Sequence, residues 1–279
     1  VLDISPYDAI VVGSGATGGI AALTLAEQGI KVLVIEAGPQ FKRHEASNHE
    51  PKSTFKRLSG VLTKKHANQC QHPGYWKNNP DLYSNELNHP YEFPEKKPFL
   101  WTQGKQIGGR SLTWGGITLR FSSEDFNPAQ KDGFGPNWPI SYEDLSPHYD
   151  FIENFCGIYG RKDNIKEVPN GKYIGEIPLT KSEQIFGSKV KSKLNYPFIQ
   201  SRGFDRNSSV KEKQWPKSSS LGSTLKKALD TGNVQIISNY LVESFEINKR
   251  TELATKLTIV NLENGRKEVL NCDLILLCA

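Results

Sequence analysis

The chain has 279 residues, of which 37% are hydrophobic and 10% aromatic, and its formal net charge is +5. This apolar fraction is typical of a globular protein and excludes a chain that stays disordered. The basic excess is small and is not interleaved with aromatic residues, so we expect no nucleic-acid partner. The sequence holds no apolar run long enough to cross a bilayer, so we expect no membrane segment.

The first elements predict a β-α-β unit. Residues 7–12 form a short apolar run typical of a strand buried in a parallel sheet. Apolar residues at helical spacing over 20–28 predict a helix that Gly29 ends, and residues 31–35 predict a second strand that Glu36 ends. This order of elements indicates an α/β fold of the Rossmann type.

The turn after the first strand carries the sequence GSGATG, a GxGxxG match at residues 13–18. Gly13 allows the tight turn, Gly15 lets the backbone approach a pyrophosphate, and Gly18 permits close packing of helix on strand. Ala16 and Thr17 lie at the helix N-terminus, where free N–H groups and the helix dipole attract an anion. The turn therefore predicts a dinucleotide site.

Glu36 narrows the choice of dinucleotide. Its carboxylate can accept hydrogen bonds from both ribose hydroxyls, which disfavours a 2′-phosphate. NAD and FAD both use such a turn, so the turn alone leaves both open. Ala37, Gly38 and Pro39 come next, and a second glycine-rich block stands at residues 104–116. These two features favour FAD.

The remaining elements are taken in chain order. Residues 40–98 predict a long irregular excursion with one short helix near 53–62, and excursions of this length are functional covers or insertions. Ser141 has the features of an N-cap and predicts a helix that runs towards Cys156. Residues 161–215 are again irregular. Further elements are a helix over 220–230 and strands at 234–237, 241–248, 254–261 and 273–278, with a hairpin turn at Asn264-Gly265.

Three stretches resemble the glucose–methanol–choline family of FAD-dependent alcohol oxidoreductases. They are residues 8–39, the block GKQIGGRSLTWGG at 104–116, and a tail that joins residues 232–234 and 241–242 to 276–279. Together they correspond to roughly the N-terminal half of a typical member. The residue pattern of the second block and of residues 134–145 is most similar to the pyranose-oxidase-like and bacterial sugar-dehydrogenase-like branch.

The resemblance implies the cofactor contacts. The second block would contact the flavin ring through Gly108, Gly109, Ser111, Thr113, Trp114 and Gly115. Val242 would contact adenine through its backbone, and the strand that ends at Ala279 would return the chain to FAD. Members that attach flavin covalently have a His where this chain has Thr113, so we expect non-covalent FAD. Other members have Asn at the position of Trp114.

The resemblance also implies a domain plan and an activity. We expect an FAD-binding domain over 1–160 with the excursion at 40–98, the start of a substrate domain or cover over 161–215, and a return to the FAD-binding domain over 216–279. The reaction would oxidise a CH–OH group of a sugar, polyol or other alcohol, a small-molecule substrate, with hydride passing to flavin N5. Oxygen, a quinone or a cytochrome stays open as electron acceptor, and a partner protein could serve in that role.

No catalytic residue is predicted within the chain. The family's catalytic base is a His in its C-terminal half, and the histidines here are expected to be exposed or structural: His44, His49, His66, His72, His89 and His148. The cysteines fit no ligand pattern and are expected to be reduced, with no metal site: Cys70, Cys156, Cys272 and Cys278. The chain lacks an initial Met and stops within a predicted strand, so we expect a truncated chain.

Two other classes stay open. One is a different FAD or NAD enzyme with the same turn, although a disulfide reductase would need a CxxxxC pair after Glu36, and a nicotinamide enzyme would leave the second glycine block unexplained. The other is a degenerate flavoprotein kept as a binding module. The cytoplasm is the favoured compartment, a processed secreted form stays open, and the oligomeric state is undetermined.

Overall fold

The computed structural model describes residues 7–46, 52–204, 214–251, 254–271 and 273–279. The chain divides into two compact units, one formed by Val1–Trp114 with Lys213–Ala279 and the other by Gly115–Glu212. The expected domain plan stays a prediction, and its boundary at residue 160 differs from this division after Trp114. The reason is that residues within 115–160 pair with a segment near residue 203: Ile117 and Tyr159 both form β-bridges with Gly203.

The strands are, in chain order, β1 (Ala9–Val12), β2 (Val32–Ile35), β3 (Val234–Ile237), β4 (Tyr240–Ile247), β5 (Ala254–Asn261), β6 (Lys267–Asn271) and β7 (Leu274–Leu277). Four of them form a parallel sheet of order β3-β2-β1-β7, and the other three form an antiparallel sheet of order β4-β5-β6. The expected α/β fold of the Rossmann type is confirmed. Each residue of β2 is buried, as in a parallel sheet that is covered on both faces.

The helices are α1 (Ala16–Ala26), α2 (Lys52–Leu62), α3 (Pro128–Asp132), α4 (Tyr142–Cys156), α5 (Lys181–Leu194) and α6 (Thr224–Asp230). The predictions of α2 and α4 are confirmed. Helix α1 begins at Ala16, within the GxGxxG turn, which is earlier than the start at residue 20 that the apolar spacing predicted. Ser141 and Asp144 form the capping box that starts α4.

Helix α5 corrects the prediction that residues 161–215 are irregular. Its start is a capping box of Thr180 and Glu183, and it ends at Asn195 in the left-handed conformation. None of its residues is buried. The helix was missed because an element without a buried face carries little apolar periodicity.

One core joins the two sheets of the first unit. Ile10 and Leu33 of the parallel sheet pack with Leu257, Ile259 and Leu270 of the antiparallel sheet, and these side chains are all buried. The antiparallel sheet is therefore fixed against the carboxyl-terminal region of β2. This packing brings β4 close to Glu36, whose carbonyl accepts a hydrogen bond from the N–H of Tyr240.

The excursion over 40–98 has a small core of its own. Tyr75, Leu82 and Tyr83 are buried together, and short 3-10 turns at Gln69–Gln71, Pro73–Trp76 and Pro80–Leu82 hold them. Edge-on contacts join Tyr75 to Tyr83 at a ring separation of 5.4 Å. The excursion is therefore a folded insertion, not an open loop.

The second unit holds buried ion pairs. Arg120 pairs with Glu153, and Arg202 pairs with Asp163. In the part of the chain that the structure describes, no helix is long and apolar enough to cross a membrane, and no cluster of His, Cys, Asp and Glu could hold a metal ion. Cys70 and Cys278 are free thiols, Cys156 is buried, and Cys272 lies outside the described residues.

Candidate functional site

Gly13 and Gly18 shape the first glycine turn by packing. Gly13 has φ +96°, and a Cβ there would lie 2.9 Å from the carbonyl oxygen of Cys278. A Cβ on Gly18 would lie only 1.9 Å from the carbonyl oxygen of Gly13. Since neither oxygen belongs to a flexible side chain, both positions require glycine for the turn to pack against β7 and α1.

Gly15 differs because it faces open space. It is the N-cap residue of α1, and a Cβ on it would meet no atom within 4 Å. Ala16 and Thr17, the next two residues, are exposed in the first turn of the helix. The free N–H groups of a helix N-terminus therefore face an accessible region, which is the arrangement that binds phosphate.

The carboxylate of Glu36 joins this turn to the end of β2. Glu36 is 7% exposed, and its Oε2 accepts hydrogen bonds from the N–H of Ser14 at 3.1 Å and from the Ser14 hydroxyl at 2.5 Å. Its Oε1 accepts one from the N–H of Gly38 at 2.9 Å. With two bonds already on Oε2, the position left for a ribose hydroxyl is on Oε1. The sequence predicts that this carboxylate accepts from both ribose hydroxyls, and that stays a prediction.

The second glycine block contacts the first directly. Gly109 has φ +49°, and a Cβ on it would lie 3.4 Å from the Cα of Gly15. The N–H of Gly108, 94 positions after Ser14, donates to the Ser14 hydroxyl at 3.0 Å. Two backbone stretches that are remote in sequence thus form adjoining walls beside the open face of Gly15.

Thr113 and Trp114, near the end of the second block, differ in burial and in hydrogen-bond partner. Thr113 is buried, and its hydroxyl points back to the carbonyl of Arg110 at 3.4 Å. Trp114 is 43% exposed, and its Nε1 donates to the carbonyl of Ser218 at 2.8 Å. Gly115, the last predicted contact of this block, is the first residue of the second unit.

Val242 lies on the edge strand of the antiparallel sheet. The N–H of Tyr240 donates to the carbonyl of Glu36 at 3.1 Å, on the side of β4 away from β5. Backbone groups alternate sides along a strand, so the N–H and C=O of Val242 face the same side as those of Tyr240. The Val242 side chain packs against the core. Ala279, at the other predicted end of the site, lies with its Cα 3.1 Å from where a Gly13 Cβ would be.

A pocket of about 840 Å³ adjoins the end of β2, a volume in the range of small-molecule sites. Ala37 and Gly38 line it together with Lys105 and His89. The Lys105 ammonium lies 3.1 Å from Nδ1 of His89. Burial lowers the pKa of Lys105, and burial together with the Lys105 charge lowers the pKa of His89. The pocket therefore has a partly polar lining that includes the half-buried ammonium group of Lys105.

Two residues of this region were not predicted. Ser14, inside the glycine turn, links Glu36 to Gly108, and Ser220 donates from its hydroxyl to the carbonyl of Ser14 at 2.9 Å. Any residue fits the second position of GxGxxG, and Ser220 is typical of a helix start. The sequence carries no local signal for either contact.

Among the histidines that the structure describes, His66 is buried and the others are exposed or half-buried. His66 lies in the excursion, with Nδ1 3.1 Å from the hydroxyl of Tyr75. His49 lies outside the described residues. The structural or exposed roles expected for His44, His66, His72, His89 and His148 stay predictions.

Known proteins are similar to parts of this chain, including the first glycine turn. A family model described as an FAD binding domain matches residues 8–47. The 6‴-hydroxyparomomycin C oxidase of Streptomyces lividus is 26% identical over 157 residues, which are 55% of this chain and 23% of that protein. The fructose dehydrogenase large subunit of Gluconobacter japonicus is 24% identical over 197 residues, 68% of this chain and 35% of that protein.

Solved structures share the fold. Pyridoxine 4-oxidase from Mesorbium loti superposes with a TM-score of 0.59 at 17% identity, over 98% of this chain and 49% of that one. The chain thus spans half or less of the length of the proteins it matches. The family match and the relatives support the resemblance to FAD-dependent oxidoreductases of the glucose–methanol–choline type that was drawn from the sequence, and the solved structures share the fold.

Proposed function

We propose that this chain forms the FAD site of an enzyme that oxidises a CH–OH group of an alcohol or sugar. The observation that carries the proposal is the contact of the two glycine blocks, in which Gly109 lies against Gly15 beside an open helix N-terminus. Bound FAD would supply the hydride acceptor at its N5 atom. The relatives include a 6‴-hydroxyparomomycin C oxidase and a fructose dehydrogenase large subunit, which supports this substrate class.

The phosphate turn, Glu36 and the pocket beside it would each bind a different group of FAD. The phosphate turn with Ala16 and Thr17 would hold the pyrophosphate through backbone N–H groups and the helix dipole. Glu36 would accept one ribose hydroxyl at Oε1, and the pocket that Ala37 lines would receive the adenosine end. The proposed cofactor residues are Gly13, Gly15, Ala16, Thr17, Gly18, Glu36, Ala37, Gly108, Gly109, Ser111, Thr113, Trp114, Gly115, Val242 and Ala279.

The second block would lie along the flavin ring. Gly108 and Gly109 bring backbone close to a flat ring system, and backbone N–H groups stabilise negative charge that develops on a reduced flavin. Trp114 adds an exposed indole held by its bond to Ser218. Val242 would bind adenine through the backbone N–H and C=O that it directs away from β5, because an edge strand presents unpaired donors and acceptors on that side.

We further propose that FAD is held without a covalent bond. Thr113 offers no imidazole for attachment, and its hydroxyl is turned towards the carbonyl of Arg110. The proton of the substrate hydroxyl requires a base. We assign that role to no residue of this chain, and infer that a histidine outside these 279 residues provides it. The electron acceptor is left open among oxygen, a quinone and a cytochrome.

The test uses the longest natural polypeptide that contains this chain. Purified protein should show flavin absorption bands, and acid precipitation should release the flavin into the supernatant. Protein without bands after incubation with FAD would overturn the FAD site. Flavin that stays with the precipitate would overturn only the non-covalent attachment. A panel of sugars, polyols and simple alcohols, assayed by bleaching of the flavin band without oxygen, tests the substrate class.

A further inference from the structure

Three segments far apart in sequence meet at buried serines. Ser220 is 3% exposed, and its hydroxyl donates to the carbonyl of Ser14 in the phosphate turn at 2.9 Å. Its N–H donates to the hydroxyl oxygen of Ser111 at 3.0 Å. Ser220 therefore bonds to both glycine blocks at once.

The hydrogen bonds close into a cycle. Ser111 donates its hydroxyl to the carbonyl of Gly108 at 2.5 Å, and the N–H of Gly108 donates to the hydroxyl of Ser14 at 3.0 Å. Ser14 uses its own hydroxyl proton for Glu36. Each hydroxyl of the cycle donates to a neighbouring acceptor, and that of Ser111 also lies 3.5 Å from the Ser220 hydroxyl, so the cycle holds Ser14, Gly108, Ser111 and Ser220 at fixed separations.

The turn that carries Ser220 is held by other bonds. The Ser219 hydroxyl donates to the carbonyl of Pro216 at 2.7 Å and accepts from the N–H of Gly222 at 3.2 Å. A Cβ on Gly222 would lie 2.2 Å from the carbonyl oxygen of Pro216, so the turn is also closely packed. The hydroxyl of Ser220 is not needed for these contacts and is directed out of the turn, at the phosphate loop.

We propose that Ser220 is a positioning residue for the FAD site. Through Ser14 and Ser111 it sets the separation between the phosphate turn and Gly108–Gly109, and hence between the pyrophosphate and the flavin ring. This role rests on the proposed function, because it is expressed only when a ligand spans both blocks. Ser220 acts through its neighbours and is not itself a cofactor contact.

The test compares Ser220→Ala with Ser223→Ala. Ser223 is the matched control: it lies in the same turn and loses one similar bond, from its hydroxyl to the carbonyl of Ser219 at 2.6 Å. Each variant of the longest natural polypeptide is stripped of flavin and titrated with FAD and with ADP. ADP has the pyrophosphate and the adenosine end but no flavin, so it does not reach the second block, and the ratio of the two affinities reports the alignment of that block.

In Ser220→Ala we expect FAD affinity to fall roughly tenfold, with a smaller loss for ADP and a shifted visible flavin band, because one buried acceptor is left unpaired. Ser223→Ala should keep the FAD-to-ADP ratio and the spectrum. An unchanged ratio and spectrum in Ser220→Ala, or equal changes in both variants, would overturn the positioning role. Unmodified protein that binds no FAD would overturn the proposed function, and this role with it.

A second variant covers a failure of Ser220→Ala to fold. Ser111→Ala removes the acceptor of the Ser220 N–H and the donor to Gly108 from the other side of the cycle. It should lower the same FAD-to-ADP ratio. A wild-type ratio in this variant would contradict the cycle as the device that aligns the two blocks.

Discussion

Gly15 and Gly109 are neighbours in the structure, since a Cβ on Gly109 would lie 3.4 Å from the Cα of Gly15. The left-handed φ of +49° at Gly109 favours glycine as well. The 3.4 Å separation is ordinary van der Waals contact, so the two backbone stretches touch without a clash. The contact brings the two glycine-rich segments, residues 13–18 and 104–116, together at one place in the fold.

Gly15→Leu should abolish FAD binding and leave the apoprotein stable. The new side chain would enter the open space next to the helix N-terminus, where no protein atom lies within 4 Å of the Cβ, so it would compete with the cofactor and not with the fold. Equilibrium dialysis against FAD measures the first effect and thermal unfolding of the apoprotein the second.

Gly18→Ala is the contrasting variant. Its Cβ would lie 1.9 Å from the Gly13 carbonyl oxygen, so it should lower the unfolding midpoint of the apoprotein itself. FAD bound normally by Gly15→Leu would mean that the turn does not hold the pyrophosphate.

The sequence predicted the parts of this site that obey local rules. The GxGxxG spacing indicated Gly13, Gly15 and Gly18 because a strand–turn–helix connection over a phosphate needs them within six positions. Ser220 could not be predicted, since its contact with Ser14 spans 206 positions and depends on how α6 and its preceding turn pack against α1. Helix α5 was missed for a related reason, because no buried face imposes a pattern on it.

Glu36→Gln should weaken both the apoprotein and FAD binding. The carboxylate accepts from the N–H and hydroxyl of Ser14 and from the N–H of Gly38. An amide would turn an NH₂ group towards one of these donors and leave a buried N–H unpaired, at a cost of about 1–3 kcal/mol. Urea unfolding without FAD and a fluorescence titration with FAD measure the two effects.

Glu263→Gln provides the comparison for Glu36. Glu263 is exposed, and its Oε1 accepts from Nδ2 of Asn239 at 2.8 Å. We expect a change of less than about 0.5 kcal/mol in unfolding free energy, as for most surface substitutions. Equal losses of unfolding free energy in Glu36→Gln and Glu263→Gln would contradict the bridging role of Glu36.

His66 should make the stability of the first unit depend on pH. Burial, and then the charge of Lys65, lower the pKa of this imidazole below its ordinary value of 6.5. The unfolded chain therefore takes up a proton before the folded chain does. The contribution of His66 is complete above pH 6.5 and is lost as the pH falls from there towards the folded-state pKa.

The variant His66→Gln tests this pH dependence. Tyr75 donates its hydroxyl to the carbonyl of Arg57 at 3.0 Å, so it accepts from Nδ1 of His66, and a glutamine amide can replace that donor. We expect wild-type unfolding free energy to decline more steeply than that of the variant in the interval just below pH 6.5. Parallel curves over that interval would show that His66 keeps an ordinary pKa.

Glu153→Gln should destabilise the second unit far more than Asp150→Asn, although both carboxylates bind the same guanidinium. Nε and Nη2 of Arg120 donate to the two oxygens of Glu153 at 2.9 and 2.5 Å, and Nη2 also donates to Asp150 at 2.6 Å. The side chains of Arg120 and Glu153 are 4% and 6% exposed, whereas that of Asp150 is 38% exposed.

The difference arises from solvation. Glu153→Gln leaves a buried guanidinium without its main counterion, which costs about 3–5 kcal/mol of unfolding free energy. Asp150→Asn removes a charge that water already screens, so we expect a loss of about 1 kcal/mol or less. Glu153 also accepts from the N–H of Lys172 at 2.6 Å, so its loss loosens the segment after α4. Urea unfolding followed by tryptophan fluorescence measures both variants, and similar free-energy losses would mean that water reaches the Arg120–Glu153 pair.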